Sequence, residues 1–166
     1  MTQEELTKLF AGLGARKPAE WARSQLKENI PQLARFLFLR QAWKLVLGEG
    51  DRSWIKVQAD INPPVPGGGI GPALKRLLAA GAAEEDLTTV ARVMQWRLLS
   101  GLCYLLDDPG VLEKEVKDVT WRLFQVNCNE EPVAIITGLH ESVLETEPTG
   151  HEMRGLDAGG TESRNH

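Results

Sequence analysis

The segment Ile61 to Pro72, INPPVPGGGIGP, constrains this chain more than any other feature, because four prolines and four glycines fall within twelve residues. Proline removes backbone donors and glycine adds conformational freedom, so neither a regular helix nor a strand can run through it. A loop is required there. A helix is the expectation beyond it.

Upstream, Thr2 followed by Glu5 has the pattern of a capping box, which starts a helix running to Gly12 or Gly14 with Leu6, Leu9, Phe10 and Leu13 on its apolar face. Pro18 suits the first turn of a second helix that ends near Glu28 and presents Trp21 and Leu26. Asn29 and Pro31 restart the chain into a third helix, to Leu47. There Leu33, Phe36, Leu37, Phe38, Leu39, Trp43, Val46 and Leu47 cover most of the circumference and leave Gln32, Arg35, Gln41 and Lys44 for solvent. A short segment at Trp54 to Val57 follows.

Beyond the Pro/Gly run, a helix from Pro72 to about Ala80 leads into the longest one, roughly Ala83 to Leu106. Its opening Glu84, Glu85 and Asp86 complement the positive end of the helix dipole. Leu87, Val90, Ala91, Met94, Leu98, Leu102 and Leu105 form one apolar stripe, and Val93, Trp96, Leu99, Cys103 and Leu106 a second. Met94, Leu98 and Leu102 are expected to be buried against the helix that carries Phe36, Leu37 and Trp43. Two stripes also suit the seam of a homodimer.

After the turn Asp107 to Gly110, VTWRLFQV alternates as a strand does, and PVAII is a second β-rich run beyond NCNEEP. The fold class is therefore α+β and predominantly α-helical, a bundle of about five helices with a C-terminal antiparallel β-hairpin at 119–137 packed on it. One globular domain covers 1–154, with 1–106 mainly helical and 138–154 an acidic loop or short helix in which Thr149 and Glu152 could form a capping box. The Gly-rich stretch 155–166 reads as a flexible tail.

Composition narrows the function classes. With 42% hydrophobic and 25% charged residues in 166, the chain is an ordinary globular one, able to bury roughly 68–70% of its unfolded surface around one core. The opening MTQEELTK lacks a signal-peptide pattern and no apolar run reaches membrane-spanning length, which points to a cytoplasmic protein without membrane contact. Two cysteines with no CxxC motif fit reduced thiols, Cys103 packed on a helix stripe and Cys128 exposed in the hairpin turn.

Three constellations carry possible chemistry. The first is charge: residues 1–60 hold 10 basic and 7 acidic side chains, the remainder 9 and 16, for a net −4. Within Asn129 to Met153 six carboxylates, Glu130, Glu131, Glu141, Glu145, Glu147 and Glu152, occur with no Lys or Arg. Such a block speaks to partners, and with no assembled catalytic motif it suggests a non-enzymatic interaction or regulatory module presenting an acidic C-terminal surface to a basic protein.

The second is His140-Glu141 with His151-Glu152, a donor set suited to a divalent metal and hence to a metal-assisted enzyme, the alternative function. Ten residues separate the histidines, and their convergence depends on the fold. The third is Gly68, Gly69 and Gly71 with Lys75 and Arg76, where backbone N–H groups could cradle an anion. Neither GxxxxGK[ST] nor GxGxxG is present, so a connector is the plainer reading. No cofactor is implied. Nine basic residues and three tryptophans between Arg16 and Lys56 resemble a nucleic-acid footprint, but a pI near 5.5 argues against nucleic acid as partner.

Overall fold

The computed structural model describes residues 1–61, 63–110 and 113–154. The class is α+β and predominantly helical, with a two-stranded antiparallel sheet near the C-terminus. Contacts group into two compact units, Met1–Arg40 together with Leu123 onward, and Gln41–Arg122. The expected tail at 155–166 lies outside the described residues. No helix among the described residues is long and apolar enough to cross a membrane.

In the first unit, α1 (Gln3–Gly12) starts at the expected capping box: the Thr2 N–H donates to Glu5 at 2.7 Å and the Glu5 N–H to the Thr2 hydroxyl at 3.3 Å. That exchange satisfies two orphan donors of the first turn, and the Thr2 backbone N–H holds the Glu5 carboxyl below its ordinary pKa. The second helix, α2 (Pro18–Glu28), begins at proline and ends at Asn29, whose φ of 53° is the left-handed conformation asparagine tolerates. It is followed by α3 (Gln32–Trp43), shorter than the predicted run to Leu47 and assigned to this unit as far as Arg40.

The core joins these three helices. Phe10, Trp21 and Phe36 meet with ring centroids 5.3–5.9 Å apart, two of the three pairs edge-on, and Leu6 and Ala22 complete a buried cluster with Leu13, Ala15 and Leu33 against it. Each fully buried large apolar side chain contributes about 1.5–3 kcal/mol, and edge-on aromatic pairs about 0.5–1.5 kcal/mol more.

Two assignments on α3 are corrected. Gln32 and Arg35 are buried, each 7% exposed, whereas Leu37 is exposed. Side-chain hydrogen bonding explains the inversion for Gln32, whose Nε2 donates to the Ser24 hydroxyl at 2.7 Å, while Gln25 Oε1 accepts from the Leu33 N–H at 2.8 Å. The α2–α3 junction is thus stitched by polar groups that hydropathy assigns to water.

The hairpin pairs β1 (Leu123–Val126) with β2 (Pro132–Ile136), Leu123 opposite Ile136 and Phe124 opposite Ile135, with an irregularity at Gln125/Val126. It is shorter than 119–137, since residues 119–122 form no strand. Asn127 shapes the turn, its Oδ1 accepting from the N–H groups of Asn129 and Glu131. Of the strand residues only Ile136 is buried; Phe124, Val126, Val133 and Ile135 are exposed. Gly138, at φ +71°, leads into the single turn α7 (Leu139–Ser142), which inserts Leu139, and Val143 after it, into the interior.

The second unit contains α4 (Ser53–Ala59), α5 (Ile70–Ala79) and α6 (Glu84–Asp107), with a 3-10 turn at Lys114–Val116. Here the Pro/Gly loop acquires its reason. Gly71 is buried, and a Cβ there would fall inside contact distance of the Ile61 carbonyl oxygen and 3.0 Å from that of Ala59. Only glycine lets the start of α5 approach the backbone leaving α4 so closely.

Of its two apolar stripes the long helix turns the second inward, with Leu99 and Cys103 buried, and leaves the first, which was expected to pack, in the open. Thr88, Arg92, Leu99 and Cys103 are its buried residues, whereas Met94, Leu98 and Leu102 are exposed. Hydrogen bonds fix this choice. Trp54 Nε1 donates to the Thr88 hydroxyl at 3.0 Å, which donates to the Asp51 carbonyl at 3.1 Å; Gln95 Oε1 accepts from the Leu47 N–H at 2.8 Å; and the Arg92 guanidinium donates to the Leu47 carbonyl. Three polar side chains of one helix face thereby supply hydrogen-bond partners to the backbone of the loop before α4.

Candidate functional site

The first unit holds an open polar cleft of about 270 Å³, lined by Glu20, Trp21 and Ser24 of α2, Gln32 and Arg35 of α3, and Glu141, Ser142 and Glu145 of the α7 segment. Local structure explains how distant residues reach it. Gly138 must be glycine because the Arg35 guanidinium lies 2.8–3.0 Å from where a Cβ would stand, so the flat cation is laid on the bare backbone before α7. Arg35 Nη1 donates to the Ser142 hydroxyl at a long 3.4 Å.

The chain after α7 is held by a second arginine. Arg16 donates to the carbonyl oxygens of Leu144 at 3.0 Å and Gly150 at 2.8 Å, and twice to that of Glu145. A single guanidinium with five fixed donors serves three carbonyls of a segment with no regular structure, a role for which lysine lacks the geometry. Glu141 and Glu145 are thereby placed on the cleft with Glu20, which also pairs with Lys17 at 3.6 Å. Three carboxylates against one guanidinium leave the lining net negative.

Only part of the acidic set shares this place. Glu130 and Glu131 sit in the hairpin turn, Glu130 at φ +65° and Glu131 bonded to Asn127. Glu147 is 2% exposed and accepts from the Thr149 N–H and hydroxyl at 3.1 and 2.6 Å, so it is an internal anchor rather than a surface charge. Thr149 and Glu152 form no capping box: Thr149 accepts from the His151 N–H, Glu152 has φ +51° and bonds Arg154, and residues 150–154 are not helical.

Of the metal set, His140 is half-buried and Glu141 lines the cleft, while His151 is exposed. Among the described residues no three His, Cys, Asp or Glu side chains come together as a metal would require.

The anion set is rearranged more sharply. Because α5 begins at Ile70, Lys75 lies beyond its first turn and Arg76 in its last, where a cation is favoured by the helix dipole without any bound anion. Gly71 faces the carbonyl oxygens of Gln58, Ala59 and Ile61, which repel an anion.

Cys103 is buried and its thiol is pushed up to about 11 by burial, with Asp107 adding to the effect; Cys128 is exposed. The Cys103 thiol is thereby a poor nucleophile.

Sequence reasoning placed Glu141 and Glu145 among the candidates but missed Glu20, Ser24, Gln32, Arg35 and Ser142. One signal was available: Gln32 and Arg35 stand three residues apart, a polar pair on one face of a helix whose apolar residues cover most of its circumference. No family model, curated protein or solved structure matches this chain.

Proposed function

We propose that this chain is a non-enzymatic interaction module whose acidic C-terminal face receives a basic segment of a protein partner at the cleft of Glu20, Glu141 and Glu145. The observation that carries the reading is the lining itself: three carboxylates from two separate parts of the sequence border one open cavity, with a single cation, Arg35, opposing them. Lys and Arg side chains bear the complementary charge and multiple donors. Carboxylates at an open cleft act mainly by steering and selecting charge, so binding should be sensitive to salt, with a screening length near 8 Å at physiological ionic strength.

The test is anisotropy titration of labelled Lys/Arg-rich peptides against wild-type protein and the Glu141→Gln, Glu145→Gln double variant. The expected result is saturable binding that weakens about tenfold or more in the variant and falls with added salt, each tenfold step being about 1.4 kcal/mol. Equal binding by the variant, or none by wild type at low salt, defeats the reading.

A further inference from the structure

The exposed apolar face of α6 is a separate feature from the acidic cleft. Val90 is 63% exposed, Met94 61%, Leu98 65%, Leu102 47% and Leu105 45%, all on one side of a single helix. We infer that this face is the seam of an antiparallel homodimer in which α6 pairs with α6 of a second copy about a two-fold axis at the level of residue 96.

The occupant is argued from the order of side chains along the stripe. Residues at equal distances from position 96 face one another in such a pair, and they match: Met94 with Leu98, Val90 with Leu102, Leu87 with Leu105, and the two small residues, Ala91 with Gly101. A two-fold interface must be self-complementary, residue for residue, and this stripe is.

Gly101 supplies a second observation. It lies inside a 24-residue helix, where glycine is less favourable than alanine, and a Cβ there would have nothing within 4 Å. Its own chain gives no steric reason for it. Opposite Ala91 of a second copy, it allows the two helix backbones a close approach.

Area fits as well. The five exposed residues present roughly 500 Å² per copy, at the upper end of what a monomer commonly shows, and a pair would remove about 1,000 Å², close to the lower bound for a specific interface. The stripe from Leu87 to Leu105 runs about 27 Å along the helix at 1.5 Å per residue. An interface of that size belongs to the weak, reversible class.

Charge at the ends gives the seam its own signature. The same pairing brings Glu84 of one copy near Asp108 of the other. Like charges there oppose association, so added salt should strengthen the dimer, opposite to its effect on basic-peptide binding.

The experiment is sedimentation velocity of the full chain over a concentration series at low and high salt, for wild type and Leu98→Arg. Far-UV circular dichroism checks that the variant keeps its helix content. The expected result is a concentration-dependent shift toward twice 18.4 kDa in wild type, stronger in salt, and a monomer at all concentrations for Leu98→Arg. Direction is read in a Cys128→Ser background by mixing Val90→Cys and Leu102→Cys chains with a short bis-maleimide. Cross-linking in the mixture well above that within either chain alone is expected.

A wild type that stays monomeric overturns the inference, whether its Leu98 is then found shielded by its own chain or open to an apolar dye. So does a dimer that Leu98→Arg leaves intact, or cross-linking no stronger in the mixture.

Discussion

Gly71→Ala tests the closest backbone approach in the second unit. The added methyl would stand inside contact distance of the Ile61 carbonyl oxygen, 3.0 Å from that of Ala59 and 3.3 Å from that of Gln58. All three neighbours are backbone, so relief requires moving α5 away from the end of α4. Overpacking costs about 1–3 kcal/mol, and against three backbone atoms the upper part of that range, about 2–3 kcal/mol, is expected; a gain in helix propensity of at most about 1 kcal/mol leaves a net loss of about 1–2 kcal/mol. At roughly 2–4 °C per kcal/mol for a chain of this size, the variant should melt about 2–8 °C below wild type. Gly101→Ala is the paired control. It is the same chemical change inside a helix, but in open space, and should raise stability by about 0.5–1 kcal/mol at protein concentrations low enough to keep the chain monomeric. Thermal denaturation followed by far-UV circular dichroism reads both. A Gly71→Ala protein that melts at or above wild type would refute the argument that the Pro/Gly loop exists to permit this contact.

Other expectations follow from the same geometry. Phe10→Ala empties a fully buried site between Trp21 and Phe36 and should cost about 3–5 kcal/mol in denaturant titration; Leu98→Ala, on the exposed side of α6, should change monomer stability by less than about 0.5 kcal/mol. Arg16→Lys should release the segment after α7, seen as faster amide exchange and proteolysis between Leu144 and Gly150, because an ammonium cannot serve three carbonyls in one plane; unchanged protection there would contradict the role given to Arg16. For Cys103 the fold raises the thiol from 9.0 to about 11, so the folded chain keeps its proton longer than the unfolded one. Stability from this group is complete below pH 9 and declines as pH climbs through about 11, the sign required when the native state binds more protons. Thiol titration at pH 8 should label Cys128 rapidly and Cys103 only on unfolding.

Features whose physics is local are legible in the order of residues alone. A hydroxyl and a carboxylate three residues apart made the cap of α1, proline opened α2, and four prolines among four glycines forbade regular structure before α5. Alternation near 123–136 and the turn chemistry of Asn127 announced the hairpin. Which side of a helix faces inward was decided elsewhere. Leu98 and Met94 are apolar and exposed, while Arg92, Thr88, Arg35 and Gln32 are polar and buried. In α6 the inward face is the one whose Thr88, Arg92 and Gln95 meet the backbone of the Leu47 to Asp51 loop, beside the second apolar stripe with Leu99 and Cys103. Periodicity can report that a helix has two distinct faces, but not which groups the rest of the chain will bring to them. The cleft has the same origin. Glu20 and Arg35 are separated from Glu141 and Glu145 by more than one hundred residues, and no spacing rule reaches so far. Their meeting rests on Gly138, which accepts the Arg35 guanidinium against its backbone, and on Arg16, which fastens the chain beyond α7 by its carbonyls. Both are contacts that exist only once the chain has closed on itself.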